Sequence, residues 1–203
     1  HWLLFHDIFI VSFTAPPTIS AIICYTRDMN HPSHPITILA FVGLSGAGKS
    51  EAVNHVARLG IPKVYAGGIL YDEMRRRGIA ITPQSQAEFR KAWREEAGKD
   101  IIIRTAAEQM QRLATAGQRH ILFDGLYSWT EYKYLTHHFP GELVVAAIVA
   151  PKQLRHRRLA QRPERPFTAQ EAIARDWSEI EDIEKGGPIA IADHFIPNSH
   201  SLT

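Results

Sequence analysis

The residues that could do chemistry begin with an eight-residue stretch, residues 43–50, which reads GLSGAGKS. It matches the pattern G-x-x-x-x-G-K-[ST], with an apolar run before it and a helical pattern after it, as that motif requires. Glycines let the backbone curl so that successive N–H groups converge on a phosphate at the positive end of a helix dipole. A chance glycine-rich turn is the alternative, and the surrounding pattern disfavours it. The stretch therefore predicts a binding site for a nucleoside triphosphate.

The last two residues of the motif have separate predicted roles. Lys49 would reach the β- and γ-phosphate oxygens as a positive charge, and the hydroxyl of Ser50 would be a ligand of Mg²⁺. The other predicted phosphate-binding positions of the loop are Gly43, Ser45, Gly46, Ala47 and Gly48. ATP and Mg²⁺ are therefore the expected cofactors.

A second candidate is Asp124, which ends the apolar stretch at residues 119–124. An acid at this point of a P-loop protein holds Mg²⁺, directly or through water, and the alternative is that it caps the next helix. Gly125 follows, where a motor ATPase normally has a glutamate that polarises the attacking water. Transfer to an acceptor depends on alignment and charge neutralisation and needs no such glutamate. Gly125 therefore favours phosphoryl transfer over hydrolysis.

The pattern that must position these residues alternates between strands and helices. Apolar runs predict strands at residues 36–42, 62–65, 119–124, 142–150 and 193–196. Helical spacing and stop residues predict helices at 49–59, 69–77, 84–97, 100–116, 128–138, 151–161 and 169–184. This alternation predicts an α/β, three-layer P-loop NTPase fold, in which helices flank a parallel sheet of about five strands. Its ligand would bind at the carboxyl ends of the strands.

Composition predicts one enzyme-sized domain and excludes few partners. A chain of 203 residues lies within the size range of a single domain. The net charge of only +2 does not favour a nucleic-acid partner, so we expect none, and no membrane partner either. The single cysteine, Cys24, excludes an internal disulfide and indicates a reducing, cytoplasmic location. We expect a monomer or a small homo-oligomer.

The first residues differ from the rest of the chain. The apolar run at residues 1–13 is broken by His6 and Asp7, which makes it too short for a membrane helix. We expect residues 1–35 to be a peripheral or disordered extension, with Met29 as the natural start and the kinase-like domain at residues 36–203. An extra strand or a peripheral membrane anchor is the alternative.

Four stretches together resemble a known family, and they are residues 42–50, 94–100, 124–131 and 192–198. Through them, residues 36–198 resemble the P-loop small-molecule kinases of the adenylate kinase and dephospho-CoA kinase group. The nearest resemblance is to an uncharacterised, mainly archaeal branch of that group. The last stretch resembles the ending of dephospho-CoA kinases that lies against the adenine of ATP, which implies that Asn198 binds the nucleotide.

The same resemblance implies a small mobile lid whose arginines close over the triphosphate. Arg158, Arg162 and Arg165 fall in the corresponding region, and we expect Arg162 and Arg165 to act with Lys49 and Asp124 in catalysis. The planar guanidinium of arginine suits this task because it can bind two phosphate oxygens at once. Arg155 and Arg157 are instead expected on a solvated helix end, and the acidic run at residues 178–184 on a solvated helix face.

The acceptor side departs from that family. Nucleoside monophosphate kinases typically have Gly-Asp-x-x-Arg after the second strand, whereas residues 67–71 read GGILY and lack both the acid and the arginine. An aromatic site that includes Trp129 could replace them, or these aromatic rings could simply pack between helices. The candidate acceptor-binding residues are Arg94, Arg104, Tyr71 and Tyr127.

The leading hypothesis is ATP-dependent phosphoryl transfer to a small nucleotide-like acceptor, either dephospho-CoA or a molecule like a nucleoside monophosphate. The first alternative is a nucleotide-binding regulator that keeps the P-loop without kinase turnover. A polynucleotide-end kinase is a further alternative, and the near-neutral net charge disfavours it.

Overall fold

A parallel sheet of five strands organises the part of the chain that the structure describes, which is residues 36–199 of a computed structural model. The strands are β1 (Thr37–Val42), β2 (Lys63–Tyr65), β3 (His120–Asp124), β4 (Leu143–Val149) and β5 (His194–Pro197). They lie in the order β2-β3-β1-β4-β5, and every neighbouring pair is parallel. The predicted fold class is confirmed. The extension predicted for residues 1–35 lies outside the described residues.

Eight helices accompany this sheet within residues 36–199. They are α1 (Lys49–Ala57), α2 (Ala66–Arg76), α3 (Pro83–Ala97), α4 (Ile101–Thr115), α5 (Trp129–His138), α6 (Lys152–Ala160), α7 (Ala169–Glu181) and α8 (Gly186–Ala190). The first seven correspond to the helices predicted from sequence. The short helix α8 was not predicted, because the glycine pair at its start was interpreted as the end of α7.

The hydrophobic core lies on both faces of the sheet, as continuous apolar strands require. Successive β1 residues point in opposite directions, so Ile38 and Ala40 join one buried cluster while Leu39 and Phe41 join the other. The second cluster includes Val53 and other residues of α1. The sheet is therefore covered on both faces. The site must lie on the loops that follow the carboxyl ends of the strands.

Helix α2 begins three residues earlier than predicted, at Ala66. The sequence interpretation took Gly67 and Gly68 as the end of the second strand, but both lie in the first turn of the helix, beneath the ring of Tyr65. A Cβ atom on Gly67 would lie 2.4 Å from ring atoms of Tyr65. The glycines therefore let the tyrosine fold back over the start of its own helix.

Gly125 has a steric role in the connection after β3. A Cβ atom at this position would lie 2.2 Å from the Cβ of Ala66, and the backbone has φ of +155°. The loop after β3 thus passes directly against the first residue of α2. The position after Asp124 therefore has no room for any side chain, which includes that of a glutamate.

We expect Gly125→Ala to lower the free energy of unfolding by about 3 kcal/mol, because overpacking adds to an unfavourable backbone conformation. Gly60→Ala is the control, since Gly60 also has positive φ, at +80°, but a Cβ atom added there would have nothing within 4 Å. It should cost about 1 kcal/mol. Chemical denaturation measures both values, and equal losses would contradict the close packing against Ala66.

Candidate active site

The phosphate-binding loop connects the carboxyl end of β1 to the start of α1 and is pressed between two other elements. Gly46 and Gly48 have φ of +81° and +103°. A Cβ on Gly46 would lie 2.6 Å from the carbonyl oxygen of Arg155, and one on Gly48 would lie 2.3 Å from Nδ2 of Asn198. Glycine is therefore required at both positions by conformation and by space.

The predicted catalytic residues Lys49 and Asp124 meet at the ends of neighbouring strands. The ammonium of Lys49 donates to Oδ1 of Asp124, and less than a fifth of either side chain is exposed. Asp124 does not cap the next helix, because Ser128 does so by accepting from the backbone N–H of Glu131. Asp124 is thus available to the phosphate site.

Asn198 fastens the end of β5 to the loop. Its Nδ2 donates to the carbonyl of Ala47 at 2.7 Å, and its backbone N–H donates to Val149 at 2.7 Å. Arg158 on α6 donates to the backbone oxygen of Asn198 at 3.1 Å. The structure therefore brings Asn198 and Arg158 to the loop, although the two lie more than 100 residues beyond it in sequence.

Arg155 is not on a solvated helix end, and that prediction is wrong. Its side chain is buried, and it donates to both carboxylate oxygens of Asp176 at 2.6 and 2.9 Å and to the carbonyl of Ser45 at 3.1 Å. Burial alone would raise the pKa of Asp176, but hydrogen bonds from Arg155 and His156 lower it below its usual value. This buried pair ties α6 and α7 to the loop.

Glu179 is likewise not on a solvated face, so the prediction for residues 178–184 is wrong at this position. Glu179 is fully buried and accepts from the backbone N–H and the hydroxyl of Ser45 at 2.8 and 2.7 Å. It also accepts from Arg175 at 3.1 Å and from Lys185 at 2.6 Å. Burial acts to raise its pKa, but these donors outweigh it and lower the pKa.

The sequence showed the helical spacing of these residues but not their burial. The buried residues of α7 are Ala172, Asp176 and Glu179, which share one helical face, while Trp177 and Ile180 point outward with 63% and 48% exposure. The interpretation assumed that acids face solvent. Ala172, Asp176 and Glu179 are spaced so that they share one face of the helix. Such a face is buried when it lies opposite a loop that needs hydrogen-bond acceptors.

A cavity of about 550 Å³ opens beside the loop. Arg162 lines it, and its guanidinium lies 5.9 Å from the ring centroid of Phe167. Arg165 is exposed in the same connection, with a backbone in the left-handed region, and does not line the cavity. The cavity is lined by Gly43, Leu44, Ser45, Gly46, Gly48, Lys49, Ser50, Glu51, Arg158, Arg162 and Lys185.

On the acceptor side, Tyr127 lies close to the phosphate site. Its ring centroid is 5.6 Å from the ammonium of Lys49, and burial, aided by the charge of Asp124, raises its pKa. The hydroxyl of Tyr71 donates to Gln86 at 3.3 Å, and its ring lies edge-to-face with that of Tyr65. Trp129 stacks on Tyr132 of its own helix and lies against Gly187 of α8, as the alternative of packing between helices predicts.

The two predicted acceptor arginines help to join α3 to α4. Arg94 donates to the carbonyl of Lys99 at 3.0 Å, and Arg104 donates to the carbonyl of Ala97 at 2.9 Å. Arg90, one turn before Arg94, is exposed, and its positive charge acts to lower the pKa of Tyr127 against the larger effect of burial.

Comparison with known proteins gives this chain a family. A family model described as an AAA domain matches residues 42–174. A UPF0200 protein of Thermococcus sibiricus is 31% identical over 169 residues, which are 82% of this chain and 88% of the relative. The chain belongs to the UPF0200 family. Its kinase-group resemblance and archaeal relatives, both inferred from the sequence, are confirmed.

Solved structures similar to this UPF0200 chain agree on the fold. One is TT1252 from Thermus thermophilus, with a TM-score of 0.57 and 18% identity over 84% of this chain and 92% of that one. Another is a shikimate kinase from Bacteroides thetaiotaomicron, with a TM-score of 0.51 and 10% identity over 82% and 89% of the two chains. The fold is therefore that of the P-loop small-molecule kinases, and it implies nucleotide binding.

The oxygen atoms at the start of α1 and the end of β3 suit a magnesium ion. The hydroxyl of Ser50 is exposed at the cavity, and the carboxylate of Asp124 is held nearby through Lys49. Mg²⁺ prefers hard oxygen ligands and is commonly held by one or two protein groups together with substrate phosphates. These residues therefore fit the ion that the sequence predicts.

Within residues 36–199, no helix has both the length and the apolar character needed to cross a membrane.

We expect Arg155→Ala to lower the free energy of unfolding by about 3 kcal/mol, because it leaves buried Asp176 short of a cation and frees the carbonyl of Ser45. Arg157→Ala is the matched control, since Arg157 is an exposed residue of the same helix, and it should change stability by less than about 0.5 kcal/mol. Urea unfolding measures both. Similar small losses in the two variants would contradict a structural role for the buried pair.

Proposed function

We propose that this protein transfers the terminal phosphoryl group of ATP to a small, nucleotide-like acceptor. The observation that carries the proposal is the contact with Asp124 made by Lys49, which lines the cavity beside the phosphate-binding loop. Arg158, Arg162 and Lys185 add three further cations to the lining of that cavity. A concentration of positive charge around backbone N–H groups suits a triphosphate.

Transfer is favoured over hydrolysis by the residue after Asp124. A glutamate there would polarise a water molecule, but Gly125 packs against Ala66 and leaves no room for one. An acceptor that is positioned by binding needs no activated water. The absence of a glutamate beside Asp124 therefore supports a kinase.

The proposed step conserves atoms and electrons in a simple way. An oxygen of the acceptor forms a bond to the γ-phosphorus while the bond from that phosphorus to the β,γ-bridging oxygen breaks, and ADP leaves with the electron pair. A hydroxyl acceptor loses its proton to water, whereas an ionised phosphate acceptor has none to lose. Lys49 and the N-terminus of α1 stabilise the charge on the phosphates. Mg²⁺, held by Ser50 and Asp124, would supply further charge neutralisation.

The connection between α6 and α7 is the proposed lid. Arg162 already lines the cavity, and Arg165 lies three residues further along the exposed loop. We propose that both arginines reach the transferring phosphoryl group when the lid closes. Their exposure supports this role, because neither is committed to a buried contact as Arg155 is.

The acceptor side favours a molecule that has both a flat ring and a negative charge. Tyr127 supplies an aromatic surface next to Asp124, and Arg90 and Arg94 supply positive charge from α3. Dephospho-CoA and nucleoside monophosphates both have these properties. The missing Gly-Asp-x-x-Arg pattern is compatible with an acceptor other than an ordinary nucleoside monophosphate, and also with the alternative of a regulator that binds ATP without turnover.

The test is the release of ADP with a panel of acceptors that includes dephospho-CoA and the nucleoside monophosphates. We expect turnover that requires an acceptor and Mg²⁺. We expect Lys49→Ala to lower it by about a hundredfold or more, because this lysine stabilises charge on the transferring group. Lys152→Ala, at an exposed position on α6, is the control and should keep full activity.

Tight ATP binding without turnover on any acceptor would favour the regulator. Normal activity in a correctly folded Lys49→Ala protein would remove the P-loop lysine from the mechanism.

The proposed lid leads to a separate prediction. We expect Arg162→Ala and Arg165→Ala each to lower kcat more than they raise the KM for ATP, since a contact made mainly in the transition state has that effect. Arg157→Ala is the control on the neighbouring exposed helix surface. Steady-state kinetics measures kcat and the KM for ATP in all three variants. Equal, modest changes in the three variants would indicate a diffuse basic surface instead of a lid.

A further inference from the structure

Lys185 is a nearly buried cation beside the phosphate-binding loop. It lies between α7 and α8, and only 11% of its side chain is exposed. Its ammonium donates to Oε1 of Glu179 at 2.6 Å. Glu179 also accepts from Arg175 and Ser45, so one carboxylate serves two cations. The single charge of Glu179 therefore leaves positive charge uncompensated at this side of the loop.

The turn that presents Lys185 is strained. The preceding residue, Glu184, has φ of +62°, in the left-handed region that favours glycine. The carboxylate of Glu184 accepts from the hydroxyl of Thr130 on α5 at 3.1 Å, and the backbone N–H of Lys185 donates to the carbonyl of Glu179 at 2.9 Å. Such strain persists where surrounding contacts enforce it, and it concentrates at ligand sites.

Lys185 and Lys49 lie against the same aromatic ring. Their ammonium groups are 5.4 and 5.6 Å from the ring centroid of Tyr127, and both residues line the cavity of about 550 Å³. Burial lowers the pKa of Lys185 and Glu179 raises it, but the positive charges of Arg175 and Lys49 act in the same direction as burial, and the pKa stays below its usual value. The charge of Lys49 acts on Lys185, so an anion bound near both ammonium groups would relieve their repulsion.

The position of this pair within the cavity indicates which part of a nucleotide it would meet. Lys49 contacts Asp124 and lies against Tyr127, and Lys185 lies against the same ring, so these two lining residues of the cavity are next to the loop that follows β3. The N-terminus of α1 faces the β-phosphate of a bound nucleotide. An acid in the position of Asp124 acts on the Mg²⁺ that bridges the β- and γ-phosphates, so the phosphate expected on this side is the terminal one.

We propose that Lys185 binds the terminal phosphate of a nucleoside triphosphate together with Lys49, and that Glu179 is the residue that positions it. This inference rests on the nucleotide-binding part of the proposed function and does not require turnover. It adds a phosphate-binding residue from the connection between α7 and α8, well outside the glycine-rich loop.

The test compares the affinities of the full chain for Mg·ATP and Mg·ADP by calorimetry. We expect Lys185→Met to weaken ATP binding about tenfold more than ADP binding, which corresponds to the loss of one charge-assisted hydrogen bond. Lys185→Arg keeps the charge and should retain most of the preference for ATP. Lys152→Ala, an exposed lysine on α6, is the control for nonspecific loss of positive charge.

Because Lys185→Met leaves Glu179 with one cation fewer, the double variant Glu179→Gln/Lys185→Met tests the alternative that Lys185 only neutralises Glu179. The double variant should still lack the preference for ATP, and a restored preference would overturn the inference. Equal weakening of ATP and ADP in Lys185→Met would also overturn it. If the unaltered chain binds neither nucleotide, the proposed function and this inference both fail, whereas ATP binding without acceptor turnover removes the kinase and leaves the inference intact.

Discussion

The site depends on a loop of backbone N–H groups that is held in shape by buried charges of α7. Glu179 accepts from the N–H and the hydroxyl of Ser45, while Arg155, itself fixed by Asp176, donates to the Ser45 carbonyl. A glycine-rich loop has many conformations available when unfolded, so an arrangement that presents its N–H groups to phosphate needs fixed partners. Buried ion pairs contribute little net stability unless their hydrogen bonds are complete, and here each carboxylate has several donors. They therefore contribute to stability as well as to the geometry of the loop.

The same helices that hold the loop also carry the proposed lid. Arg155 and Arg158 on α6 contact the loop or Asn198, and the connection from α6 to α7 contains Arg162 and Arg165. The phosphate-binding loop and the proposed lid are thus both attached to α6. Closing the lid need not disturb the phosphate site. Lys185, at the far end of α7, belongs to the same unit. The cations around the cavity come from three separate segments that meet only in the folded chain.

The acceptor side follows a different principle, in which glycines make room for aromatic rings. Gly67 lies beneath Tyr65, and Gly187 lies against Trp129, where an added Cβ would be 2.8 Å from the ring. The family pattern with an acid and an arginine is replaced by rings, with positive charge supplied from α3.

Local patterns in the sequence determined the fold class, the order of the strands and helices along the chain, and the loop with Lys49, Ser50 and Asp124. Strand and helix periodicity and the glycine-rich motif are properties of neighbouring residues, so no tertiary contact is needed to recognise them. The tertiary structure alone decided that Arg155, Asp176 and Glu179 are buried, that α2 begins at Ala66, and that Lys185 reaches Tyr127. Charged residues are normally exposed. A sequence does not show which distant residues will pair with a charge that becomes buried. Their placement depends on contacts between segments more than 100 residues apart, as between Ser45 and Glu179, and only the folded chain brings such partners together.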